Sequence, residues 1–309
     1  MEIIFILLVA LVIDLAFGEP ANAWHPVAWL GKLISLETKW APRKGKLTQL
    51  VFGMTTVLIT LGAVTAAVYF LLLYLREINL IVYIVVAGLL LKFTFSLRGL
   101  RHAVTTVKGF LAQGKLPEAR TSLRSLVSRD TTNLNKSQLL SATVESVAEN
   151  SCDSFVAPLF YFLLFGVPGA IAYRVVNTFD AMIGYHGKWE HLGKFAARLD
   201  DVANFIPARI TALIIALAAW ICKKNMQQAW HIMLRDHKKT HSPNAGWTMS
   251  AIAGALGVQL EKASHYKLGD NHYSLSLNTV DASLQMTMTV AAIWSLIAIL
   301  AEVIYIVAT

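Results

Sequence analysis

The sequence has little charge and little cysteine. Only 15% of its 309 residues are Asp, Glu, Lys or Arg, whereas soluble domains carry about 25%. Hydrophobic residues make up 56% and are concentrated in long apolar runs, which excludes a secreted enzyme, a disordered scaffold and a soluble dinucleotide-binding domain. Cys152 and Cys222 form no Cys-x-x-Cys pair, so we interpret them as packing residues in a reducing compartment.

The familiar nucleotide-binding motifs are also missing from the sequence. None of the Gly-Lys pairs is followed by Ser or Thr as in a P-loop, and no G-x-G-x-x-G occurs. A nucleotide would therefore bind at a less familiar site. The net charge is +8, but there is no dense basic cluster interleaved with aromatic residues. We therefore attribute the excess to cytoplasmic loops and expect no nucleic-acid partner.

Long apolar segments predict an all-α fold, a polytopic integral membrane helical bundle that forms one domain over residues 1–309 in the lipid bilayer. The expected segments are residues 1–18, 50–75, 78–97, 154–176, 203–222 and 285–307. The first has no basic start and no cleavage site, so we expect a retained helix. Gly166-Val167-Pro168-Gly169 interrupts the fourth, which predicts a broken or re-entrant helix. Lys92, near the end of the third, is expected to snorkel.

The distribution of basic residues predicts the orientation. Residues 19–49 and 98–150 are rich in Lys and Arg, whereas the turn between the second and third segments carries only Arg76. Basic loops remain in the cytoplasm. We therefore expect these two helical loops on the cytoplasmic side of the cell membrane and both termini on the outer side. The side on which residues 177–202 lie stays open.

Three acids lie at helical spacing just before the fourth apolar segment. If this stretch is helical, Glu145, Glu149 and Asp153 fall at i, i+4 and i+8, with Asn150 beside them. Carboxylates on one stripe repel one another, and a cation would relieve the repulsion. The alternative is a solvated helix face.

Two further sets of acids and amides stand at the ends of apolar segments. The first is an amide and an acid three residues apart, and the second combines two acids, an amide and two arginines: Asn177 and Asp180, then Arg198, Asp200, Asp201, Asn204 and Arg209. Together with the first stripe they indicate a divalent-cation site, since Mg²⁺ is usually held by one or two carboxylates plus substrate phosphates. The alternative is that the arginines simply pair with the adjacent acids.

Two loops have the character of ligand-binding loops. His25 follows the first apolar segment and is either a proton carrier or a loop histidine that caps a helix. Ser242, Asn244 and Gly246 precede a helix that we predict from Trp247. We expect Asn244 to be its N-cap, and a phosphate would suit the N-terminus of that helix. The alternative is a capped helix and nothing more.

Taken in order, these segments resemble the CbiB/CobD family, the membrane-embedded adenosylcobinamide-phosphate synthases. The resemblance runs nearly end to end and rests on these blocks: Asp14 with Gly18-Glu19-Pro20 and His25-Pro26; Glu145 to Asn150 with Asp153 and Val156-Ala157-Pro158-Leu159; Asn177-Thr178 with Asp180 and Met182 to Tyr185; Ala197 to Asp201 with Asn204 and Ile206 to Arg209; and Ser242 to Gly246 with Gly254 to Val258. The chain departs from the family pattern at Glu19, where Asp is usual, and in residues 259–284. No substrate contact is carried over to that stretch.

The resemblance implies ATP-dependent amide formation by an acid–amine ligase. The propionate of adenosylcobyric acid would join the amine of aminopropanol phosphate or a related amino-alcohol phosphate. It also implies Mg²⁺ with ATP, a corrinoid as substrate and not as bound cofactor, other cobalamin-assembly membrane enzymes as potential partners, and a site that faces the cytoplasm. Because those substrates are cytosolic, the cytoplasmic side is slightly favoured for residues 177–202.

The expected roles follow from these blocks. We expect catalytic roles for Glu145, Glu149, Asp153, Asp200 and Asp201, and metal binding by Glu149, Asp153, Asp180 and Asp201. Substrate or nucleotide binding is expected from Asp14, His25, Arg129, Asn150, Asn177, Asp180, Arg198, Asn204, Arg209, Ser242, Asn244 and Gly246. The alternative function is a membrane transporter or an AmpE-like sensor, because intramembrane acids and a broken segment also suit a transport path.

Overall fold

The computed structural model describes residues 1–20, 22–185 and 190–308. Strands in this described part form one short hairpin, so the all-α prediction is confirmed. The elements in chain order are α1 (Glu2–Phe17), α2 (Pro26–Lys39), α3 (Lys46–Ile78), α4 (Leu80–Lys92), α5 (Leu97–Ala112), α6 (Leu116–Leu123), α7 (Lys136–Ser151), α8 (Ala157–Ile183), α9 (Lys194–Ala203), α10 (Phe205–Ile221), α11 (Met226–Asp236), α12 (Ala245–Leu256), β1 (Leu260–Lys262), β2 (Tyr266–Leu268) and α13 (Leu277–Ala308).

The chain divides into two compact units, each discontinuous in sequence. Unit 1 comprises Met1–Ser96, Ala157–Ala203 and Ala298–Thr309, and unit 2 comprises Leu97–Val156 and Asn204–Ile297. The expectation of one domain over the whole chain stays a prediction.

Among the described residues, four helical stretches are long and apolar enough to cross a membrane, or five if α9 and α10 count as one broken span. The four are Lys46–Ile78, Leu80–Ala112, Lys136–Ile183 and Leu277–Ala308. These spans confirm a polytopic membrane protein. The predicted segment 1–18 forms α1, whose 16 residues extend about 24 Å, less than the roughly 30 Å hydrocarbon core. That this segment crosses the membrane stays a prediction.

The expected break in the fourth apolar segment lies at Gly166 in α8. Its φ of 66° and ψ of −163° are not helical, and this combination is open almost only to glycine. Pro168, two residues later, lacks the N–H that a continuous helix would use. The prediction of a broken helix is therefore confirmed.

The core of unit 1 lies where α2, α3, α8 and α9 meet. Ile34, Val57, Phe179 and Ala196 come from these four helices and are fully buried. The chain approaches α3 closely at Gly53, where a Cβ would collide with the carbonyl oxygen of Leu192. This packing fixes the end of α8 beside α9, the two helices that carry Asp180, Asp200 and Asp201.

In unit 2, α7 leads directly into a turn of π-helix over Cys152–Val156. Such turns are rare and often occur at functional sites. At its other end, α7 begins with a capping box formed by Asn135 and Gln138. The hairpin is fastened to α7, because the hydroxyl oxygen of Ser141 accepts the backbone N–H of Glu261 at 2.8 Å.

Candidate active site

Glu145 is the most deeply buried acid of the predicted stripe, at 4% exposure. Its Oε1 accepts a hydrogen bond from the Ser141 hydroxyl at 2.6 Å. Its Oε2 accepts one from the Tyr266 hydroxyl at 2.9 Å and lies 3.1 Å from Nη2 of Arg129. A buried carboxylate is costly unless it is paired and hydrogen-bonded. Glu145 therefore holds Arg129 and Tyr266 in place.

A polar cavity of about 120 Å³ opens beside this carboxylate within unit 2. Its walls come from the loop after α6, from α7, from α12 and from the hairpin: Leu126, Val127, Ser128, Arg129, Glu145, Ser146, Glu149, Met249, Lys262 and Tyr266. Glu149, one turn beyond Glu145, is solvent-exposed. The cavity thus brings together two acids of the predicted stripe and the predicted Arg129.

Two residues of this cavity, Lys262 and Tyr266, were missed by sequence reasoning. They face each other across the hairpin, in the stretch where the chain departs from the family pattern. Two three-residue strands are too short to show a periodic pattern, so no sequence signal marked them. Burial, and then the carboxylates of Glu145 and Glu149, raise the pKa of Tyr266. The phenol therefore stays protonated and acts as a hydrogen-bond donor.

Asn150 lies near the end of α7, and Asp153 lies on the π-helical turn that follows it. Asn150 donates to the backbone oxygen of Ser146 at 2.9 Å and accepts from the Ser154 hydroxyl at 2.7 Å. Asp153 is the second residue of the π-helical turn and is half-buried. The spacing predicted from sequence therefore places Glu145 and Glu149 at the cavity, with Asp153 on the π turn beyond them.

A second polar cluster of unit 2 joins α10 and α12. Arg209 donates from Nη1 to Oδ1 of Asn244 at 3.1 Å. Its guanidinium lies 3.5 Å from the ring centroid of Phe205 and 5.0 Å from that of Trp247. Asn204, the residue before α10, is buried at 2% exposure. Three predicted residues from two distant blocks therefore lie in one unit, and two of them are in direct contact.

The start of α12 differs in detail from the expected cap. Among the described residues, Asn244 makes no capping hydrogen bond with its side chain. The Ser242 hydroxyl instead accepts the backbone N–H groups of Asn244 and Ala245 at 3.2 and 3.3 Å. A Cβ at Gly246 would collide with the His237 carbonyl oxygen. Close packing therefore explains this glycine, and a phosphate at this helix end stays a prediction.

The remaining acids and amides lie in unit 1. Asn177 accepts from Nη1 of Arg174 at 3.2 Å and donates to Oδ1 of Asp200 at 3.3 Å. Arg198 lies 3.5 Å from Asp201. This contact matches the alternative in which the arginine simply pairs with an adjacent acid. Asp180 lies near the end of α8 and packs against Gly184. A Cβ on Gly184 would collide with the carboxylate of Asp180.

Unit 1 also contains a buried charge network at the end of α1. Asp14 and Lys92 are 0% and 1% exposed. The Lys92 ammonium lies 3.5 Å from Asp14 and 2.6 Å from Glu19. The prediction that Lys92 snorkels to the interface is wrong, because two carboxylates hold its ammonium inside the protein.

His25 completes this network and caps a helix. Its Nδ1 accepts the N–H of Val27 at the start of α2 at 3.2 Å, which leaves Nε2 to donate to Glu19 at 2.7 Å. Burial alone would raise the pKa of Glu19, but hydrogen bonds from His25, Lys92 and Ser96 outweigh it and lower the pKa to about 2. Of the two alternatives for His25, the helix-capping one matches these contacts.

The four acids predicted to hold a metal are divided between the units, with Glu149 and Asp153 in unit 2 and Asp180 and Asp201 in unit 1. Over the residues that the structure describes, no group of three or more His, Cys, Asp or Glu side chains is arranged to hold a metal ion. Mg²⁺ bound with substrate phosphates needs only one or two carboxylates. The magnesium site therefore stays a prediction.

Comparison with known proteins gives one consistent result. The family model described as CobD/Cbib protein matches residues 7–298. The chain is 53% identical to "Cobalamin biosynthesis protein CobD" of Dehalococcoides mccartyi over 97% of both chains. It is 42% identical to "Probable cobalamin biosynthesis protein CobD" of Methanothermobacter thermautotrophicus over 87% of this chain and 88% of the relative. No solved structure gives a significant match.

Proposed function

Because the chain belongs to the CobD/Cbib family, we propose that it is an enzyme of cobalamin biosynthesis, an adenosylcobinamide-phosphate synthase. The reaction would be ATP-dependent amide formation between the propionate of adenosylcobyric acid and the amine of aminopropanol phosphate or a close relative. The observation that carries this proposal is the cavity of unit 2, where carboxylates, cations and a phenol donor meet at the signature helix α7.

The chemistry needs two bond-forming steps. A propionate oxygen attacks the γ-phosphorus of ATP, the bond to the bridging oxygen breaks, and ADP leaves. The ammonium of the amino-alcohol loses a proton, and its nitrogen attacks the acyl carbon of the resulting acyl phosphate. Inorganic phosphate then leaves and the nitrogen loses a second proton. The protein must therefore bind phosphate groups and accept protons from an amine.

The cavity contains groups suited to both tasks. Glu149 is exposed at the cavity, which supports its assignment as the group that takes the proton of the amine. Arg129 and Lys262 supply positive charge for a phosphate. The hydroxyl of Tyr266 donates to Glu145, and this hydrogen bond holds the hairpin side of the cavity against α7. In this assignment Glu145 is a positioning residue, and Glu149 is the proton acceptor.

Mg²⁺ would neutralise charge on the phosphates of ATP, and in this assignment Asp153 is the acid of unit 2 that is the candidate to hold it. Asp153 is half-buried on the π turn and retains access to solvent, which suits a ligand shared with phosphate oxygens. If Asp153 binds Mg²⁺, Asp153→Asn should lower activity at limiting Mg²⁺, and excess Mg²⁺ should partly restore it. Equal activity of this variant and wild type at low Mg²⁺ would exclude Asp153 as a ligand.

The direct test is turnover by the purified full-length chain in detergent. With adenosylcobyric acid, aminopropanol phosphate, ATP and Mg²⁺, mass spectrometry should detect adenosylcobinamide phosphate and one ADP per product. Omission of any component should abolish synthesis. A folded protein that makes no product, but moves a corrinoid across proteoliposomes, would support the transporter alternative instead.

A further inference from the structure

We propose that the cavity of unit 2 is the subsite for the smallest substrate, the amino-alcohol phosphate, and that the β1–β2 hairpin selects this substrate through Lys262. The inference rests on the proposed function for the identity of the three substrates. It adds which of them enters this cavity, in which direction, and which residue discriminates it from the other two.

The volume of the cavity limits the size of its ligand. Pockets for drug-sized ligands have volumes of about 300–1,000 Å³, whereas this cavity has a volume of about 120 Å³. Neither a nucleoside triphosphate nor a corrinoid can enter it whole. A short amine with a phosphate ester is the only one of the three substrates that fits this space.

The charged residues that line the cavity indicate the charges of its ligand. Arg129 and Glu145 form an ion pair at 3.1 Å and so compensate each other. The other two charged residues of the lining, Lys262 and Glu149, have opposite signs. An amino-alcohol phosphate also carries one ammonium and one phosphate, and the phosphate bears about −1.5 to −2 at neutral pH. The cavity is therefore complementary to a ligand with both charges.

The cations have donors to offer the phosphate. Lys262 belongs to no ion pair within 4.0 Å in the part of the chain that the structure describes, whereas Lys267 on the same hairpin pairs with Glu261 at 3.4 Å. Arg129 keeps unused hydrogen-bonding capacity as well, because its buried Nε has no acceptor among the described residues. A guanidinium has five donors, so it can serve Glu145 and a phosphate together.

The direction of binding follows from exposure. Glu149 is solvent-exposed, whereas Arg129 retains only 16% of its side-chain exposure. With the phosphate at Arg129 and Lys262, the amine lies towards Glu149 at the open side. The nitrogen then faces outward, and a corrinoid too large for the cavity can present its activated carboxyl group there. Glu149 would both hold the ammonium and take its proton.

The test compares Lys262→Met with Lys267→Met, a matched change on the same hairpin outside the cavity lining. Lys262→Met should raise the KM for aminopropanol phosphate at least about tenfold and leave the KM values for ATP and adenosylcobyric acid within twofold. Lys267→Met should leave all three unchanged. Aminopropanol without its phosphate should be used equally poorly by wild type and Lys262→Met. A rise in the KM for ATP or adenosylcobyric acid would overturn the inference and leave the proposed function standing.

A binding measurement separates this inference from the proposed function. Isothermal titration of each folded protein with aminopropanol phosphate alone needs no turnover, and propyl phosphate serves as the probe that lacks the amine. We expect Lys262→Met to weaken binding of both probes at least about tenfold, and Glu149→Gln to weaken only the amine-bearing one. If wild type binds in this way but synthesises no amide, the proposed reaction fails and the subsite remains. Equal binding by wild type and Lys262→Met would overturn the subsite.

Discussion

Individual buried charges in this protein are held by several partners, and Lys92 is the clearest case. Its ammonium is shared by two carboxylates, Asp14 and Glu19, and Glu19 is also bound by His25. Loss of the cation would leave two carboxylates in a buried network without their main partner. Breaking a buried ion pair from one side generally costs about 3–5 kcal/mol.

Lys92→Met should therefore lower the free energy of unfolding by about 3–5 kcal/mol, measured by denaturant titration in detergent. Lys108→Met is the matched control, because Lys108 and its partner Asp281 are 31% and 50% exposed and such pairs contribute at most about 1 kcal/mol. Addition of Asp14→Asn to Lys92→Met should recover part of the loss. Equal stability of the two single variants would show that the network is not held by Lys92.

Asp236 gives a pH-dependent prediction. This fully buried acid accepts from Arg235, Lys239 and the backbone of Gly269. Burial alone would raise its pKa, but these hydrogen bonds lower it from 3.8 to about 2. The ionised form therefore stabilises the fold above about pH 4, and that contribution of roughly 2 kcal/mol is lost as the pH falls towards 2.

Asp236→Asn should consequently be less stable than wild type at pH 7 and lose less stability between pH 5 and pH 2. The measurement is the apparent melting temperature against pH. The comparison cancels other acids that titrate in this range, Glu19 among them. The exposed Asp281→Asn should follow the wild-type curve. An Asp236→Asn curve parallel to wild type would contradict the assignment.

For single residues, the sequence predicts the placement of the acids on α7 better than it predicts their contacts. The helical spacing correctly places Glu145 and Glu149 on one side of α7. It cannot show that Glu145 is also bound by Arg129 and Tyr266, because those two partners lie outside α7. The same limit explains the wrong prediction for Lys92. Its neighbours in sequence are apolar, and its two carboxylate partners, Asp14 and Glu19, are close to it only in the folded chain.

Among the elements, α8 is the one whose irregularity is visible in the sequence. Gly and Pro within an apolar run predict a break, and the break occurs at Gly166. The end of the first apolar segment is also visible in the sequence, since α1 ends at Phe17 and Gly18 follows with a φ of 71°. The hairpin could not be predicted, since its strands are held by contacts with α7 and not by a pattern of their own.

Gly166→Ala should destabilise the protein by about 1–3 kcal/mol, because a Cβ disfavours the backbone conformation at this break. Gly62→Ala is the control within α3, where a Cβ would meet nothing within 4 Å. That change should be neutral or stabilise by up to about 1 kcal/mol. Melting temperatures in detergent decide between them, and a Gly166→Ala protein as stable as Gly62→Ala would argue against a required break.

For the whole molecule, the two ends of the chain lie together within unit 1. The N-terminal ammonium of Met1 is 3.7 Å from Glu302 near the end of α13. This proximity agrees with the expectation that both termini lie on the same side of the membrane. Which side that is follows only from the basic loops, and residues 186–189 of the uncertain segment 177–202 lie outside the described residues.

Alkaline phosphatase fused to the C-terminus should be active if both termini are outside, because the enzyme folds only outside the cytoplasm. Fusion after Gly114, in the turn between α5 and α6, should be inactive. A cytoplasmic fluorescent reporter at the same two sites should give the opposite pattern. An inactive C-terminal phosphatase with an active one after Gly114 would reverse the orientation and place the cavity of unit 2 outside.

In the proposed function, the cavity of unit 2 carries the proton-accepting group of an ATP-dependent amide synthase. The most direct measurement is kcat for amide formation by Glu149→Gln and Glu261→Gln, the same change inside the cavity and on β1 outside its lining. Glu149→Gln should reduce kcat at least about a hundredfold, equivalent to roughly 2.7 kcal/mol in the barrier, and Glu261→Gln should stay within twofold of wild type. A folded Glu149→Gln protein with wild-type kcat would show that Glu149 is not the proton acceptor.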